Sequence, residues 1–112
     1  MEEQSKTVIK KDMKKCKITV VKIACYKDLM EKYENPIEHA CDIEKGQVFI
    51  SENGNKPQGL CESAWQSMLP FVMVLAHGGG NLYDGRMKNE HSAMISCNDG
   101  FRPVSFLLEV IE

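Results

Sequence analysis

Strand-like runs of apolar residues stand on either side of a helical period in this chain. "KITVVKIA" (17–24) is rich in β-branched residues and reads as a strand. Ile18 and Val20 fall on one side, and Val21, Ile23 and Cys25 on the other, so the strand is expected to be central. "GQVFIS" (46–51), "SAMISC" (92–97) and "PVSFLLEVI" (103–111) have the same character. Between the last two, "NDGFR" carries turn residues and predicts a hairpin. On the final strand Val104, Phe106, Leu108 and Val110 share one side.

The period changes over residues 60–77, where Leu60, Ala64, Met68, Phe71, Val72 and Leu75 form one stripe, widened by Trp65 and Met73. Pro70 removes a backbone donor there and predicts a kink or a division. Gly78 supplies a stop. A shorter helix is expected over 26–34, ended before Pro36. "ENGNKPQG" (52–59) and residues 79–91 read as connections. The pattern predicts an α+β fold. A small, mostly antiparallel sheet of about four strands is covered by the main helix (about 60–77) and the short one (about 26–34). Residues 1–14 have no sustained period and are expected to form a flexible arm, with 15–112 as a single domain.

Composition changes this picture little. With 112 residues and 43% hydrophobic content, the chain can bury a core without disulfides or metal. The net charge of −2 gives no strong nucleic-acid signal. Six lysines against three acids in residues 1–17 make that segment +3 and leave −5 elsewhere, which suits a solvated terminus. No run reaches the roughly 18 apolar residues of a membrane span, and "MEEQSKTVIKKDMKK" lacks the apolar centre of a signal peptide. A cytoplasmic location is expected, where thiols stay reduced.

The cysteines carry the candidate chemistry. They are Cys16, Cys25, Cys41, Cys61 and Cys97, odd in number and widely spaced, with no C-x-x-C. A disulfide framework is not expected. Cys61 opens the main helix, where unpaired N–H groups favour an anion, and it is the candidate nucleophile. It also borders the apolar stripe, so a packed thiol is the competing reading. Cys41 follows His39 in a loop, and Cys97 ends a strand. Cys41, Cys61 and Cys97, with His39 or His77, have the donor types for zinc or another thiophilic metal, although the spacing matches no metal motif. His77 equally suits the negative end of the helix dipole, and Asp99 a turn. Arg102 could hold an anion or be solvated, and Tyr83, Asp84, Arg86 and His91 crowd a long loop where binding sites often lie. The triple glycine 78–80 follows a helix instead of preceding one, which excludes a phosphate loop.

"P-x-G-L-C-x-x-A" (57–64), the "P-F-V…L…G-G" that follows and "C-x-D-G-x-R-P-V-x-F" (97–106) resemble a family of small uncharacterised bacterial and archaeal proteins. The resemblance spans roughly residues 16–111 and implies that Cys41, Cys61 and Cys97 form a set. It brings no activity with it. Where the family has "G-H" after its first cysteine, this chain has "E-K-G", and its "C-P-D" is Cys97-Asn98-Asp99. Two functions are therefore expected. One is a thiol-dependent protein that binds a metal or small ligand or does redox chemistry. The other is a non-catalytic binding or assembly module, a homo-oligomer whose cysteines are structural and whose interface lies around Trp65 and Phe71.

Overall fold

The computed structural model describes residues 13–37 and 41–111. Most of the expected arm, and His39, lie outside them. The elements run β1 (Lys15–Ile23), α1 (Lys27–Tyr33), β2 (Val48–Ser51), α2 (Glu62–Ala76), β3 (Ser92–Ser96) and β4 (Val104–Ile111). The strands form one antiparallel sheet in the order β2-β1-β4-β3. This is the small α+β architecture that the alternation predicts, with β1 central.

One face of the sheet is sealed and the other is open. Cys16, Ile18 and Val20 of β1 and Val104, Phe106 and Leu108 of β4 are buried against α2. Ala64, Trp65, Met68, Val72 and Leu75 complete the core from the helix side. Each large side chain removed from water here contributes roughly 1.5–3 kcal/mol before entropy is counted. Trp65 is only 6% exposed, which corrects the expectation of an interface built around it. Phe71 is half-buried, its ring centroid 5.9 Å from that of Tyr83. On the open face Val48, Thr19, Leu107 and Met94 form a row across all four strands.

Both ends of α2 have defined partners. Its first turn is capped by Cys61. At the far end Gly79 N–H donates to Val74 O at 2.9 Å and Gly78 N–H to Leu75 O at 3.0 Å. With Gly78 at φ +89°, this is a Schellman stop, which a residue with a β-carbon fits poorly. Lys14 N–H, just ahead of β1, donates to the last helical carbonyl, Ala76 O, at 2.8 Å. Pro70 lies inside α2 without dividing it. It is exposed, so the carbonyl that loses its partner can turn to water.

A bulge near Val21 shifts the register, which pairs Val20 with Phe106 but Lys22 with Ser105. Pairing then continues past β1: Ala24 N–H donates to Pro103 O at 2.9 Å and Tyr26 N–H to Phe101 O at 2.8 Å. This extension carries α1 to the β3–β4 hairpin. α1 has the predicted place in the chain, but none of its residues is buried, so of the two helices it is α2 that covers the core.

Candidate functional site: a cleft lined by three cysteines

Cys41, Cys61 and Cys97 line one open cleft of about 90 Å³ beside the start of α2. Three separate parts of the chain meet there: the loop before β2, the cap of α2 and the β3–β4 hairpin. Ile43, Ala64, Val104 and Phe106 give the cleft apolar walls, and Ser63, Asp99 and Arg102 add polar groups.

Local geometry decides how each sulfur is presented. Gly59 at φ +90° turns the chain into the helix, and Leu60, 2% exposed, anchors it in the core. The Leu60 carbonyl accepts from Lys56 Nζ at 2.6 Å. Cys61 follows in extended conformation, φ −72° and ψ 153°. Its Sγ accepts the Ala64 N–H at 3.4 Å, in the manner of an N-cap, and lies 3.8 Å from Ser63 Oγ. The thiol itself is exposed, so Leu60 and Ala64, not Cys61, supply the packing at this end of the stripe.

Cys97 is half-buried. Its backbone N–H donates to Val104 O at 3.0 Å, and its Sγ accepts the Val104 N–H at 3.3 Å, so backbone and sulfur together close the hairpin. Cys41 is exposed on its loop. The remaining cysteines have other surroundings. Cys25 is exposed outside the cleft, whereas Cys16 is wholly buried and burial pushes its thiol up to about 11.

The charged groups of the hairpin are already engaged. Asp99 Oδ1 accepts from Phe101 N–H at 2.8 Å and Arg102 N–H at 3.1 Å, a turn-forming role. Arg102 is not solvated. Its two terminal nitrogens donate to the two carboxylate oxygens of Glu34, at 3.0 and 2.6 Å, and both side chains are largely buried. Glu34 therefore holds the guanidinium proton even more firmly than usual. No local signal in the sequence points to Glu34, the residue just past α1.

The other candidates lie elsewhere. His77 caps the opposite end of the 15-residue α2, where its Nδ1 donates to Met73 O at 2.7 Å. A helix of that length puts it on the order of 20 Å from Cys61, so it takes no part in the cleft. Tyr83 and Arg86 pack on one another, the guanidinium carbon 5.1 Å from the ring centroid. His91 Nδ1 donates to Gly79 O at 3.4 Å. Among the described residues no three His, Cys, Asp or Glu side chains form a group able to hold a metal ion. Of the expected zinc-type set, Cys41, Cys61 and Cys97 share one cleft, His77 lies apart from it, and His39 is outside the described residues.

Among the described residues no helix is long and apolar enough to cross a membrane. The chain matches no protein-family model, no curated protein and no solved structure.

Proposed function

We propose that this chain is a thiol-dependent protein of a reducing cytoplasm, with Cys61 as the working sulfur and the cleft as its site. The observation that carries the reading is the meeting of Cys41, Cys61 and Cys97, far apart in sequence, on one small cleft. The Ala64 N–H fixes the position of the Cys61 sulfur at the helix start. The cleft walls are largely apolar, and Arg102, the cation lining it among the described residues, is paired with Glu34. Such a site suits a small, soft, uncharged reactant better than a phosphate or carboxylate. The resemblance noted from "P-x-G-L-C" and "C-x-D-G" supports treating the three cysteines as a set.

The test is native-state alkylation with iodoacetamide, read by peptide mapping. Cys61 is expected to be modified ahead of Cys25, which is comparably exposed but lies outside the cleft. Equal rates at Cys61 and Cys25 would remove the reading.

A second reading is assembly. It is supported by the open sheet face, where Val48 is 47%, Ile50 37% and Met94 48% exposed. Sedimentation over a wide concentration range tests it: a strict monomer at all concentrations would end it.

A further inference from the structure

The two hydrogen-bonded sulfurs of the cleft differ in a way that assigns them different work. Cys61 is exposed and Cys97 is half-buried, and both line the same cleft. Both are held on rigid backbone, one by the Ala64 N–H and the other by the Val104 N–H. An oxidant arriving from solvent reaches the exposed Cys61 more readily than the half-buried Cys97. Among the described residues, backbone N–H groups anchor the sulfurs of Cys61 and Cys97 but not that of Cys41.

We infer that Cys61 and Cys97 form a two-thiol couple that reduces a small uncharged hydroperoxide, with Cys61 attacking and Cys97 resolving. This rests on the proposal that Cys61 is a working thiol. In the first step the Cys61 sulfur attacks the outer oxygen of the hydroperoxide. The O–O bond breaks, the alcohol or water leaves with a proton, and Cys61 becomes a sulfenic acid, oxidised by two electrons. In the second step the Cys97 sulfur attacks Cys61 and gives up its proton. The S–O bond breaks, water leaves and the disulfide forms. An external dithiol, such as dithiothreitol in the assay, returns two electrons and two protons and restores both thiols. The pairing of Arg102 with Glu34 beside apolar cleft walls is the reason for choosing an uncharged peroxide.

The experiment uses the reduced full chain, treated with hydrogen peroxide or an organic hydroperoxide and digested without reductant. The expected product is the cross-linked peptide pair containing Cys61 and Cys97, two hydrogens lighter than the sum of its parts. Cys97→Ala and Cys97→Ser should lose that pair and accumulate a Cys61 sulfenic acid trapped by dimedone. Cys41→Ser should keep the cross-link. A Cys41–Cys61 bond, a bond between two molecules, or no bond at all would overturn the inference. Because the cross-link is mapped in the unsubstituted chain, a variant that fails to fold does not decide the outcome. Fast iodoacetamide modification of Cys61 with no cross-link would sink the couple alone. Slow modification would sink the underlying reading.

Discussion

Arg102 grips Glu34 with both arms of its guanidinium across 68 positions of sequence, at 2.6 and 3.0 Å. The pair ties the end of α1 to the β3–β4 hairpin, and Arg102 also lines the cleft. Structure and site therefore share one residue.

Breaking this pair from either side should lower the melting midpoint, because one largely buried charge is left without its partner. Calorimetry on Glu34→Gln, Arg102→Leu and the double variant checks this, with the double variant expected to lose less than the two singles together. Arg102→Lys should not restore the parent, since an ammonium cannot reproduce two parallel bonds. Glu34→Gln also frees a positive charge at the cleft. Modification of Cys61 by anionic iodoacetate should then accelerate more than modification by neutral iodoacetamide.

Cys16 should make the fold sensitive to alkali. Its thiol is raised from 9.0 to about 11 in the folded chain, chiefly by burial. Between those values the unfolded chain has released its proton and the folded chain has not. Stability therefore falls as pH rises through 9 toward 11, by at most about 2–3 kcal/mol. Urea titrations at pH 8 and pH 10.5 measure the loss, and Cys16→Ala should remove most of that difference while lowering stability at both pH values.

Gly59→Ala should cost about 1–2 kcal/mol from backbone strain at positive φ. The added methyl meets only Phe49, at 3.7 Å, so crowding is not the cause. The strain falls two residues before Cys61. Its alkylation rate should shift along with the denaturation midpoint, whereas a purely distant effect would move the midpoint alone.

Pro70→Ala should stabilise α2 by about 1–2 kcal/mol, the gain in helix propensity being partly offset by a freer unfolded chain. Pro70 is exposed in an undivided helix, so the alanine creates no cavity. Chemical denaturation of the variant decides this, and a lower midpoint would mean that the proline is needed for the helix path.

The strands and α2 were legible because their periods are strong and their faces consistent: Val104, Phe106 and Leu108 alternate inward as the spacing requires. α1 was legible as a helix but not as an element without buried residues, since Leu29, Met30 and Tyr33 at helical spacing look like a core stripe. Trp65 misled in the other direction, because an aromatic residue on a helix does not announce which side it faces. The cysteine triad was legible as residue types only. Its convergence depends on β4 pairing with β1, which brings the hairpin beside the start of α2, and no local pattern encodes that. The Glu34–Arg102 clamp was invisible for the same reason: each partner alone resembles an ordinary surface charge.

The seal over Cys16 also furnishes a built-in clock. Wholly enclosed beneath α2, this sulfur meets a labelling reagent only when helix and sheet part. The exposed sulfurs answer in the native molecule. A single pulse of reagent, tallied cysteine by cysteine, then reports surface reactivity and the frequency of whole-molecule opening from the same sample.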